Sequence, residues 1–185
     1  GVRYVHNGRY VTLTPGTRHR WPVRLQLGRG STRLLVAATS GRTQNLGLKG
    51  GAGRPAGHTV IVDQTRGIVA PRAAGRAFSI RIRPVRGGLC AQRRSNTFTV
   101  TAKQPVYVAT PHSVAQPARP DRTARWTTTE TCSTTTTRVI AGTVRVRDRV
   151  SGRSVIVRAG AQYVARKAAR RPAAFTGERG TAVIR

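Results

Sequence analysis

Residues 126–137 read WTTTETCSTTTT, with eight threonines in twelve positions beside one cysteine and one glutamate. Three readings compete: an O-glycosylated spacer, a strand carrying a nucleophilic cysteine, or ordinary sheet built from Thr. Spacers of the mucin type combine Ser and Thr with Pro. This stretch has no Pro, opens on Trp126 and runs directly into the alternating RVIAGTVRV. Thr is β-branched and stiff at χ1, which favours strands, and its hydroxyl suits the wet face of a half-buried sheet. The stretch therefore reads as two strands meeting near Cys132, with an exposed face open to glycosylation.

Working outward, period two recurs along nearly the whole chain. VRYVHNGRYVTL places two short strands around Asn7-Gly8, a type I′ hairpin signal. PVRLQL alternates Val23, Leu25 and Leu27 with polar residues, and the more continuous STRLLVAA reads as a buried strand. KGGAGRPAG reads as a glycine-rich turn, followed by a strand in HTVIV. FSIRIR sets Phe78, Ile80 and Ile82 against Ser79, Arg81 and Arg83; NTFTVT and PVYVAT repeat the alternation through Phe98, Val100, Val106 and Val108. Residues 111–123, with Pro111, Pro117 and Pro120, read as a long surface connection. Helix is expected only around 164–175, limited by Pro172.

The fold class is accordingly all-β: a sandwich, roll or short solenoid of many short strands, with an N-terminal hairpin and a C-terminal extension. The expected divisions are a β-rich part at 1–110, the connection at 111–123, a second β part at 124–166 and a basic extension at 167–185, packed as one compact unit. No repeat of fixed length marks a true solenoid.

Charge carries the strongest functional signal. The 185 residues hold 34 Lys and Arg against five acids, for a formal net of +29. Only Lys49, Lys103 and Lys167 are lysines, as a GC-rich coding bias would favour, but that bias does not explain the scarcity of acids. Such a balance repels itself and attracts polyanions. Alternation in SIRIR and TVRVRDR would project Arg81, Arg83, Arg145 and Arg147 as rows on a sheet surface, able to pair with phosphate, sulfate or carboxylate. An anionic polysaccharide or another polyanion is the expected partner. Nucleic acid would be held without sequence specificity, since no helix-turn-helix or RNP-like aromatic motif occurs. Arg rows also protect sheet edges from unwanted pairing, so any single Arg can be a solvated edge residue.

Catalytic constellations are hard to assemble. Asp63, Asp121, Glu130, Asp148 and Glu178 are dispersed, which disfavours a carboxylate pair. His6, His19, His58 and His112 lack metal-ligand spacing, two cysteines cannot build a classical zinc finger, and no phosphate-binding glycine loop is present. No catalytic residue, metal or cofactor is expected. The string TETC, with Arg138 downstream, is distantly similar to sortase-type transpeptidases, which need an upstream His to activate the thiol. Neither His58 nor His112 has a matching context, and a disulfide between Cys90 and Cys132 is the favoured reading.

Residues 142–163, GTVRVRDRVSGRSVIVRAGAQY, resemble the FecR-type domain of bacterial envelope proteins. The matching positions are Gly142, Val144, Val146, Val155, Val157, Ala159 and Gly160; ARWTTTETCSTTTTRVIAG resembles the preceding strand pair, and residues 22–44 a still earlier one. The resemblance implies an all-β envelope or extracellular module with no catalytic residues to carry over.

The chain contains no Met and begins at Gly1, as expected of a mature product secreted to the extracellular space or cell surface. No stretch is long and apolar enough to span a membrane as a helix. The leading expectation is a non-enzymatic structural subunit that forms a homo-oligomer or polymer, in which an end adds as a strand to a neighbour. Val2, Tyr4, Val5, Tyr10 and Val11 in the first hairpin, and Val183 and Ile184 in the last strand, are its candidate assembly residues. The alternative is a monomeric polyanion-binding module.

Overall fold

A computed structural model describes residues 2–6, 9–12, 14, 16, 18, 22–27, 30–37, 43–51, 59–66, 78–84, 95–103 and 106–167. Fifteen strands and no helix occur among them: β1 (Arg3–His6), β2 (Arg9–Thr12), β3 (Val23–Gln26), β4 (Ser31–Ala37), β5 (Thr43–Gly50), β6 (Thr59–Arg66), β7 (Phe78–Pro84), β8 (Asn96–Ala102), β9 (Val106–Ala109), β10 (Ser113–Pro117), β11 (Ala124–Glu130), β12 (Thr134–Ala141), β13 (Thr143–Asp148), β14 (Ser154–Arg158) and β15 (Gln162–Arg166). They form a nine-stranded sheet, ordered β14-β13-β10-β9-β7-β6-β3-β1-β2, and a six-stranded sheet, ordered β15-β12-β11-β8-β5-β4. All pairings are antiparallel except β7 with β9. The architecture is a β-sandwich.

One core cluster draws on both sheets: Leu25, Val60, Val62, Ile82, Val108 and Val146 from the larger, Leu46, Leu48, Phe98, Val100, Trp126 and Val139 from the smaller. Alternation decides these positions. In β8 the pattern buries Asn96, Phe98, Val100 and Ala102 while Thr97, Thr99 and Thr101 stay half-exposed. Trp126 and Phe98 are the two largest fully buried side chains, and each removes on the order of 150–250 Å² from water.

WTTTETCSTTTT is the β11–β12 hairpin, with Glu130 opposite Thr135 and Trp126 opposite Val139. Its tip is tied by Thr131, whose hydroxyl oxygen accepts the Thr134 amide at 3.0 Å. The β9–β10 turn repeats the device: Thr110 Oγ1 accepts the Ser113 amide at 2.9 Å. Thr135 then donates to Thr110 Oγ1 at 3.0 Å, bonding one sheet to the other. Thr128, Thr135 and Thr137 are buried, so part of the threonine set faces inward and not to solvent as expected. Strand period two gives alternate threonines to each face, and the inward ones, with Asn96, Glu130 and Ser113, make a polar end to the core.

Other expectations change in the structure. STRLLVA, read as buried, is an edge strand among the described residues, with Leu35 68% exposed, because a continuous apolar run does not encode which side has a neighbour. The connection expected at 111–123 contains β10, and Pro117 is that strand's last residue, beyond its pairing with β9 at Val114 and Ala115. Val106–Ala109 is buried on both faces, flanked by β7 and β10. Of the residues expected as helix, 164–166 belong to β15 and 168–175 lie outside the described residues. Lys49 and Gly50, read as turn, end β5.

Candidate functional site

The outer face of the six-stranded sheet is built from the polar half of each alternating strand. Register places Ser31, Lys49, Thr99, Thr127, Arg138 and Gln162 in one row across the sheet. A neighbouring row holds Thr97, Thr129, Thr136 and Val164, and another holds Arg33, Gly47, Thr101 and Arg125. Adjacent strands stand about 4.8 Å apart, so the hydroxyls meet across them. Thr97 donates to Thr129 Oγ1 at 3.1 Å, and Thr99 shares a 2.9 Å hydrogen bond with Thr127.

Two glycines let the chain pack closely against β8 on this face. Gly51 lies so close to β8 that a Cβ there would sit 2.7 Å from the Thr97 methyl, and a Cβ on Gly47 would come within 3.2 Å of the Thr101 Cβ. With no side chains at these positions, the chain can lie close against the threonines of β8. A hollow of about 1380 Å³ on this face, the trough, is lined by residues of β4, β5, β8 and β11 together with Gly51, Lys103, Thr123 and Ile140. Arg33, Lys49, Lys103 and Arg125 supply its charge, all exposed, and its described lining includes neither a carboxylate nor an aromatic ring. Arg33 and Arg125 stand on opposite sides of Gly47 and Thr101, three strand spacings or roughly 14 Å apart.

The expected arginine rows lie in the other sheet. Arg145 and Arg147 are exposed on β13, their neighbours Val144 and Val146 fully buried. β7 carries Arg81 and Arg83 around buried Ile82, separated from β13 by β9 and β10; their side chains lie outside the described set, and Asp63 is the register partner of Arg81. The structure therefore does not bring the four arginines into one adjacent strand pair. Sequence reasoning missed the trough because NTFTVT was read for its apolar half. The signal was the other half, T-x-T-x-T, recurring as T-x-T in the strands on either side of the Cys132 turn.

The assembly residues divide. Among the described residues β2 is an edge of the larger sheet, with Val11 41% exposed. Val2 instead belongs to the core, and Tyr4 packs against it, because β1 is an interior strand between β2 and β3. Val5 and Tyr10 occupy paired positions in the hairpin, while Val183 and Ile184 lie outside the described residues. Cys132 is half-buried at the β11–β12 tip, and among the described residues no cysteine is free; Cys90 lies outside them. Arg138 stands six residues from Cys132 along β12, on the order of 20 Å, too far for the two to share one reacting atom. His112 is buried at the β9–β10 turn and His58 is outside the described residues. No group of three or more potential metal ligands occurs among the described residues, and no helix there could cross a membrane.

Burial of acids adds to the basic excess that composition already sets. Glu130 is fully buried and Asp148 nearly so, leaving Asp121 as the exposed carboxylate among those whose side chains are described. Asp148 is structural: its Oδ1 accepts the amides of Val150 at 2.7 Å and Ser151 at 3.0 Å, and Tyr163 donates to Oδ2 at 2.9 Å. Burial alone would raise its pKa, but these hydrogen bonds outweigh burial and hold it below the ordinary aspartate value. The bond to Asp148, then burial, push the Tyr163 pKa up. No protein-family model matches the chain, and no curated protein matches it.

Proposed function

We propose that the protein is a non-enzymatic, secreted structural subunit that self-associates and uses its basic surface to hold anionic polymers of an envelope or matrix. The observation that carries this reading is the disposition of charge: every strand arginine and lysine whose side chain is described is exposed, while Glu130 and Asp148 are withdrawn into the fold. A sheet surface of that kind attracts any polyanion and needs no reactive group to do so.

Two further features support it. The FecR-like stretch corresponds to a hairpin in which Val144 pairs with Val157 and Val146 with Val155. Its glycines, at φ +75° for Gly142 and +85° for Gly160, lie where the chain passes between sheets. A Cys90–Cys132 disulfide also fits: Asn96 pairs with Glu130, two residues before Cys132, and Cys90 is only six residues before Asn96 in sequence. Such a bond suits an oxidising, extracellular setting.

The test is binding to a sulfated polysaccharide at a series of salt concentrations. The expected result is submicromolar affinity at low salt, falling steeply toward physiological ionic strength as bound counterions are released. A flat dependence on salt, or no binding, overturns the reading.

A further inference from the structure

We propose that the trough on the six-stranded sheet is the polymer-binding site, and that its ligand is an extended acidic glycan bearing sulfate or carboxylate groups. This rests on the polyanion reading above and adds a place and a chemical class to it. Arg33 and Arg125 stand on opposite sides of a floor formed by Gly47 and Thr101, with Lys49 and Lys103 along the same hollow. Between these cations the surface is neutral and hydroxylated. That arrangement matches a chain whose charges are spaced apart and separated by hydroxyl groups, which the threonines meet as both donors and acceptors.

Nucleic acid fits less well. Single strands are held by aromatic platforms on which bases stack, and none lines the trough. Neutral sugars would also lack a stacking surface here, so ionic contacts must supply most of the affinity. The expected arginine row on β13 lacks this combination: exposed Arg145 has the apolar Ile156, and not a hydroxyl, as its β14 partner.

The experiment uses the full chain and three probes: a sulfated oligosaccharide, a polyuronate oligomer and single-stranded DNA of equal charge. Lys49→Ala/Arg125→Ala should weaken the sulfated oligosaccharide by about tenfold or more and lower the salt slope by about two. Arg145→Ala/Arg147→Ala, an equal change of charge on the other sheet, should weaken it by less than about threefold. Thr99→Val/Thr127→Val should reduce affinity for both glycans severalfold at unchanged salt slope and leave DNA binding unaltered. Equal losses from the two cation pairs would overturn the trough while leaving the polyanion reading intact. Preferential binding of DNA in the trough would overturn the glycan assignment. Failure of the wild-type chain to bind any probe would overturn the function itself.

Discussion

At the scale of single residues, the fate of the acids matters as much as the number of arginines. Asp148 closes the β13–β14 turn and ties it to β15 through Tyr163, linking the two sheets. Because its pKa is lowered on folding, the folded state favours the ionised form. Its stabilising contribution is complete above the ordinary aspartate value of about 4 and is lost as pH falls through the lower folded value. Asp148→Asn should therefore cost about 1–3 kcal/mol near neutral pH, the range for charge-assisted hydrogen bonds. The gap between wild type and variant, read from urea midpoints, should narrow below pH 4. A gap independent of pH would show that the carboxylate's charge is not what holds the turn.

At the scale of elements, the chain changes sheets at glycines. Gly142 alone separates β12 in the six-stranded sheet from β13 in the nine-stranded one. It has φ +75°, and a Cβ there would sit 2.9 Å from the Thr123 carbonyl oxygen. Gly152, in the β13–β14 turn, has φ +72° but open space around it. Gly142→Ala should thus cost about 2–3 kcal/mol and Gly152→Ala about 1 kcal/mol, since only the first adds a backbone collision to left-handed strain. Equal shifts in denaturant midpoint would remove the corner argument. The same strands show what sequence can reveal. Val144, Val146 and Val157 announce their buried side by simple alternation, and Asn7-Gly8 announces a hairpin. Neither Leu35 at an edge nor Val108 in mid-sheet could be placed that way, because burial on a strand's second side depends on neighbours distant in sequence. The trough was hidden for the same reason. Thr99 and Thr127 become a pair only when β8 and β11 meet in register, and Gly47 and Gly51 become its floor only beside Thr101 and Thr97.

At the scale of the whole molecule, a net charge of +29 opposes the self-association that the sheet edges invite. Among the described residues β2 and β14 are the two edges of one sheet, and each exposes an apolar residue, Val11 and Ile156. A β2-to-β14 contact between copies would be head-to-tail and would propagate if it did not close. Repulsion between copies reaches about 30 Å at 0.01 M salt and about 8 Å at 0.15 M, so charge dominates the encounter when salt is low. Polymer binding and assembly should consequently be linked: an anionic glycan that neutralises the surface removes the main barrier to edge pairing. Sedimentation velocity in about 0.01 M salt should find monomers. Adding a sulfated oligosaccharide to charge equivalence should produce larger species. Val11→Lys places a further charge on the exposed edge without entering the core, so it should still bind the oligosaccharide yet remain monomeric. Assembly by that variant equal to wild type would exclude β2 as the joining edge, whereas strong association at low salt without polymer would show that charge does not control assembly.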